Sequence, residues 1–245
     1  MKKSKKATLK GSFLWLFFSI LAFLTIRWAF VEPFVIPSGS MIPNLLIHDH
    51  IFVNKMAYGL RWPFSKEWLT DIQEPKRGDV VVFRSLDEDS FYMVKRVLGL
   101  PGEQIEITDE GNIIINQKPL LRNNIKDPDV DVEIQKYDEL DLQENINQID
   151  FHREHFSDKK VLVMNSKDSF SAGAGHFQVP EGHIFLMGDN RDNSRDSRFW
   201  GVLPLTHLIG KAKIIWLSCQ KTLVSAPFLC DPTSIRWKRF LHTVN

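Results

Sequence analysis

The sequence predicts a mainly β protein behind one N-terminal membrane helix, with a polar insertion in the middle of the β part. Three observations predict it. A long apolar run, Gly11 to Val31, follows a basic tip. Short segments rich in β-branched and aromatic residues recur after it, bounded by turn signals. From about Thr108 to Pro180 the composition turns acidic and polar, with few large apolar clusters.

The basic tip, residues 1–10, carries Lys2, Lys3, Lys5, Lys6 and Lys10 with no acid among them. Residues 11–31 supply the roughly 20 apolar residues that span a bilayer as a helix. Their one charge, Arg27, lies near the far end, where a long side chain snorkels to the interface. Trp15 and Trp28 lie towards the two ends, as interfacial aromatics do. A cleavable signal peptide fits less well, because no small-residue cleavage site follows. The positive-inside rule puts the lysines in the cytoplasm. Everything after Val31 is then expected on the outer side, which in a bacterium is the outer face of the plasma membrane. Beyond the anchor, residues 32–107 and 181–245 read as two parts of one core, and 108–180 as an inserted smaller subdomain.

Within the core, Pro75–Phe83 (PKRGDVVVF) is a turn followed by a compact apolar strand. Phe91–Glu103 (FYMVKRVLGLPGE) is a strand ended by a tight turn. HIFLM at His183–Met187 and GKAKIIWLS at Gly210–Ser218 are two more. Leu45–Tyr58 reads as a strand. Its His48 and His50 flank Asp49, and a polar turn accounts for them better than a metal or triad role. His152, His155 and His176 are expected at the surface, and Ser171–Phe177 as a flexible loop. The formal net charge is +1, so no broad basic surface for nucleic acid is implied. Cys219 and Cys230 belong to no zinc-like Cys/His cluster. A disulfide and two buried thiols both remain open.

Three segments carry candidate chemistry. In FVIPSGSMIPN, Phe34–Asn44, Ser38 and Ser40 sit between Pro37 and Pro43, which stiffen both ends. A serine on a stiff turn suits a nucleophile; a Ser-rich turn capping a strand is the plainer reading. Lys95 sits in an apolar strand. Drawn inward it would lose its charge to desolvation and could take a proton from a serine; on a solvent face it would do nothing of the kind. In GDNRDNSRDSR, Gly188–Arg198, the alternating Arg and Asp suit either a solvated loop or an ion-pair network that fixes Ser194. No GxSxG is present, and the Ser-X-X-Lys spacing is absent around Ser40. Ser/Lys pairs are nonetheless a known variant of triad logic.

Four motifs in order, PSGSM (Pro37–Met41), KRGDVVVF (Lys76–Phe83), VKRVLGLPGE (Val94–Glu103) and GDNRDNSRDSRFWG (Gly188–Gly201), behind a membrane anchor, resemble the bacterial type I signal peptidases. The resemblance implies an antiparallel β catalytic domain with a smaller inserted β subdomain. It implies a membrane-anchored serine endopeptidase that removes signal peptides after Ala-X-Ala type sites. Ser40 matches the nucleophile and Lys95 the general base. Ser38 matches the oxyanion-hole serine, and Ser194 the serine that orients the lysine. Asp196 and Arg198 match residues that hold the geometry. Phe34, Ile36, Met41, Leu45, Ile51, Val82 and Val94 match the lining of the substrate pockets. Met93 departs from the aromatic that many relatives carry there. The implied partners are preproteins with signal peptides, membrane lipids and the secretion translocon, with no cofactor, no metal and no nucleic acid. The basic, aromatic SIRWKRFLH near the end suits lipid headgroups.

Overall fold

The computed structural model describes residues 4–62, 67–86, 91–125, 149–156, 159–167 and 173–244. The chain opens with helix α1, Ser4–Ala29. Its described side chains, Gly11–Thr25 and Arg27, are all exposed. Among the described residues no helix is long and apolar enough to cross a membrane. The helix ends at Ala29, short of the expected Val31, because the chain joins the sheet there. The Phe30 carbonyl accepts from Lys55 N at 3.0 Å, and Glu32 pairs with Lys55 at 3.1 Å.

The main sheet contains β1 (Val31–Val35), β2 (Asp49–Asn54), β3 (Val80–Arg84), β4 (Tyr92–Gly99), β12 (His183–Met187), β13 (Leu203–Pro204), β14 (Leu208–Ser218) and β17 (His242–Thr243). Their order is β1-β2-β14-β3-β4-β12-β13, with β17 on β14, and every pairing is antiparallel. Among the described residues β1 pairs with β2 alone. β12 reaches β4 at Arg96–Gly99, so among the described residues Tyr92–Lys95 have no ladder partner on the side away from β3. The sheet curls until these two open edges meet: the Phe34 and Tyr92 rings lie 5.3 Å apart, edge on. Leu45–His48, expected in a strand, forms the turn before β2 instead.

The middle of the chain builds two smaller sheets. One runs β11-β5-β6-β7, from β11 (Gly175–Gln178), β5 (Gln104–Ile107), β6 (Ile113–Ile115) and β7 (Lys118–Pro119). The other runs β10-β9-β8, from β10 (Lys159–Ser166), β9 (Ile149–Phe156) and β8 (Arg122–Asn124). Few large apolar clusters were expected here, yet alternation supplies a core. Ile105, Ile107, Ile113, Ile115, Phe156, Val161 and Val163 are buried together with Leu98, Phe185 and Met187 of the main sheet. Gly175–Phe177, expected in a flexible loop, is strand. His152, expected at the surface, is buried, with Nδ1 2.7 Å from Asn124 Oδ1. Burial, then the Arg122 charge, pushes its pKa down to about 4. Most of the acidic stretch, residues 126–148, lies outside the described residues.

The β10-β9-β8 sheet grips the loop after β12. Met164 N donates to Asp189 O at 3.0 Å, and Ser166 N to Asp192 Oδ2 at 2.5 Å. Glu154, fully buried on β9, accepts two bonds from Arg191 at 2.5 and 2.6 Å. Breaking a buried pair leaves a charge without water or partner, which costs about 3–5 kcal/mol. Glu154→Ala is therefore expected to lower the unfolding free energy by about that amount. Replacing both residues by apolar ones, Glu154→Leu with Arg191→Met, should cost less. Urea denaturation of the single and double variants measures the difference.

Candidate active site

Pro37 and Pro43 bracket a short 3₁₀ turn, Gly39–Met41, and Ser38 enters it in an extended conformation. The turn buries Ser40 at the end of the open edge of β1. Lys95 reaches it from β4, where it lies opposite Val81. Its Nζ is 2.7 Å from Ser40 Oγ and 3.0 Å from the Val94 carbonyl, and the side chain is 3% exposed. Burial pushes the Lys95 ammonium down to about 8; Asp196 and Asp189 pull it back up, and Arg198 lowers it. A hydroxyl against an amine that loses its proton near neutrality can be activated for attack.

Ser38 is exposed, with Oγ 3.5 Å from Ser40 Oγ. Ser194 is buried, and its Oγ has no hydrogen-bond partner among the described residues. Asp196 caps the short helix Ser197–Trp200 and receives Arg198 through Nε at 2.8 Å and Nη2 at 2.9 Å. It also accepts from Gly188 N at 2.9 Å. The loop is thus a buried network and not a solvated turn: Asp189, Arg191, Asp196 and Arg198 are all buried. Arg198 Nη2 donates to the Arg191 carbonyl, which ties the loop's two ends together.

Sequence reading missed the fastening of this loop to the strands. Arg96, adjacent to the lysine, turns inward and binds Asp189 twice at 2.7 Å. Asn44, just past the Ser40 turn, donates to the same carboxylate at 2.7 Å. Asn190 N donates to the Ser40 carbonyl at 3.1 Å, and Asn190 Nδ2 to Gly39 O at 3.2 Å. An arginine inside a buried strand was a readable sign of a buried acid elsewhere.

Phe34, Ile36, Met41, Leu45, Ile51, Val82 and Val94 share one apolar cluster. A cavity of about 300 Å³ opens beside Ser40 and Lys95, walled by Phe34, Ile36, Met41, Val82 and Val94. Leu45 and Ile51 do not reach it and lie buried beneath. Val35, Phe91, Tyr92 and Met93 also line it and had not been singled out, except Met93.

His48 and His50 bond to backbone carbonyls, of Gln220 (3.1 Å) and of His48 and Phe228 (3.1 and 2.9 Å). Cys219 and Cys230 form a disulfide, across the hairpin β15 (Thr222–Leu223) and β16 (Ala226–Cys230). Among the described residues, His50 with these two sulfurs is the grouping near enough to hold a metal. With the sulfurs bonded to each other, it offers little beyond one imidazole.

Gly188 has no room for a side chain. A Cβ there would stand 2.2 Å from Ser194 Oγ and 2.5 Å from the Ser40 carbonyl. Gly188→Ala should push the loop off the serine turn. A shift of about 1 Å at reacting groups costs on the order of 100-fold, so we expect a loss of that order in hydrolysis, read on protein that still unfolds cooperatively.

Comparison with known proteins gives the chain's family. The family model described as signal peptidase, peptidase S26, matches residues 9–217. Signal peptidase I of Pseudomonas fluorescens is 35% identical over 221 residues, covering 85% of this chain and 73% of that protein. That of Pseudomonas aeruginosa is 36% identical over 214 residues, covering 82% and 70%. That of Rickettsia typhi is 37% identical over 227 residues, covering 88% and 83%. A serine and an amine in contact, fastened to a buried Asp/Arg loop on an antiparallel sheet, thus stand in a chain that belongs to the signal peptidase family, peptidase S26.

Proposed function

We propose that this serine peptidase cleaves signal peptides from exported preproteins with Ser40 as nucleophile and Lys95 as general base. The observation that carries the reading is the 2.7 Å contact of Lys95 Nζ with Ser40 Oγ in a buried setting. The neutral amine takes the Ser40 proton as Oγ attacks the scissile carbonyl. The Ser38 hydroxyl and the Ser40 N–H stabilise the oxyanion that forms. The lysine ammonium then gives its proton to the leaving amine. A water deprotonated by Lys95 hydrolyses the ester in the same way. Asp196 with Arg198 holds the loop that carries Ser194; the resemblance gives Ser194 the orienting of the Lys95 amine, a hydrogen bond that its Oγ does not make in this structure.

The substrate lies extended between the open edges of β1 and β4 and pairs through its backbone. The pocket of Phe34, Ile36, Met41, Val82 and Val94, backed by Leu45 and Ile51, takes small side chains one and three residues before the cut. Residues 11–31 anchor the chain in the bacterial plasma membrane, with residues 1–10 in the cytoplasm and the β part outside. Large apolar side chains exposed from Phe13 to Leu24 support this, since water does not favour such a surface. Lipids and the secretion translocon are then neighbours. Residues 32–107 and 181–245 form the catalytic core, and 108–180 the inserted subdomain.

The test is cleavage, in detergent, of a precursor with Ala-X-Ala before the cut. Ser40→Ala and Lys95→Ala should each lose at least about a thousandfold while staying folded. A Lys95→Ala variant near wild-type activity would make another group the base.

The pH profile is a second test. A lowered lysine pKa means the amine is neutral at a pH where free lysine is charged. The rate should be highest above about 8. Below that it should fall roughly tenfold per pH unit as Lys95 protonates. A flat rate from about pH 5 to 9 contradicts the assignment.

Deleting the segment before Glu32 should leave a folded domain that cleaves in detergent or lipid. Loss of its cooperative unfolding would make the anchor part of the fold.

A further inference from the structure

The geometry points to Tyr92, against Phe34, as the wall that limits the size of the substrate side chain three residues before the cut. This rests on the reading of the groove given above and adds a residue that neither the motifs nor the pocket lining carried over from them contained.

Tyr92 starts β4, on the stretch without a ladder partner away from β3. Alternation puts it on the same side as Val94, which packs with Phe34, Ile36 and Val82. Met93, one residue on, also borders the cavity but packs in part against Val81 and Phe83 in a different cluster. The aromatic at position 92 therefore closes the groove from the β4 side. Its ring meets Phe34 of β1 edge on, at 5.3 Å between centroids and 66° between planes, a favoured aromatic geometry. Rings in such contact leave no gap for a side chain between them.

The position follows from strand geometry. At roughly 3.3 Å per residue, Tyr92 lies about 10 Å along β4 from Lys95. An extended peptide with its reacting carbonyl at Ser40 has its third residue two rises back, about 7 Å along the groove, and the tyrosine side chain spans what is left of that distance. The side chain before and the side chain after that third one point the other way. A small side chain there passes beneath the rings, whereas a large one must part them. Tyr92 is 40% exposed, so its removal hollows out no core.

The experiment compares peptide cleavage by the full chain in detergent. One peptide series carries Ala or Leu three residues before the cut, and others move the Leu to positions two, four and five. One or a few methylenes in a fitted pocket discriminate by about 10–200-fold. In Tyr92→Ala the ratio of kcat/KM for Leu over Ala at the third position should rise about tenfold or more, and at that position alone. Tyr92→Phe should keep the wild-type ratio, because the ring and not the hydroxyl is the wall. Tyr92→Trp should lower it. An unchanged ratio in Tyr92→Ala while wild type cuts well overturns this inference and leaves the Ser40/Lys95 reading intact. A rise at every position alike, or at another position only, overturns it too. Wild type cutting none of the peptides overturns the proposed function itself, and this inference with it.

Discussion

Everything around Lys95 follows from one electrostatic demand: an amine must be buried beside acids and still be free to lose its proton. Burial alone favours the neutral form. Two carboxylates, Asp189 and Asp196, stand near enough to oppose it. Neither is left free to hold the lysine. Asp189 is taken by Arg96 and Asp196 by Arg198, each through two nitrogens. The lysine's own neighbours are a hydroxyl and a carbonyl. Guanidiniums suit the task because they stay charged and match a carboxylate with two parallel bonds. The acids hold the loop, and the arginines that pair with them keep their charge from fixing the Lys95 amine in its protonated form.

The same logic explains why the middle of the chain matters to a site it does not line. The Ser40 turn and the Lys95 strand come from different parts of the main sheet, and the loop after β12 runs between them. That loop carries four buried charges within ten residues, which no sheet pairing could order. It is held from one side by Arg96 and Asn44, and from the other by Glu154, Met164 and Ser166. The β10-β9-β8 sheet acts as the outer jaw of a clamp, seated on an apolar core that the small sheets share with the main sheet. Gly188 marks a tight point, where the loop backbone meets both the Ser194 side chain and the Ser40 carbonyl.

Much of this was legible beforehand, and the limits have physical causes. Strands such as Val80–Phe83 and His183–Met187 announce themselves through β-branched and aromatic runs after turns. Ser40 and Lys95 stood out as a stiffened serine and a lysine in apolar surroundings, but their contact spans 55 positions, which no local pattern encodes. The loop of Asp, Asn, Arg and Ser looked solvated because composition cannot tell a buried network from a wet turn; its partners, Arg96 and Glu154, lie far off in sequence. The middle segment looked coreless because its apolar residues are few and split between short runs far apart in sequence, and only strand pairing brings Ile113, Ile115, Val161 and Val163 together. His152 was misplaced because its partner, Asn124, comes from another strand. The cysteines could be paired only once the hairpin between them was drawn.

The curl of the main sheet has one more consequence. An open strand edge is a template for pairing with any other chain, including copies of the same protein. This fold has two such edges, on β1 and on the start of β4, and turns them towards each other with Phe34 against Tyr92, which shuts out a second sheet. Pro33 within β1 withholds one more N–H from any intruder. The peptidase can thus keep two edges open without offering either as a template that joins copies of the chain into fibres.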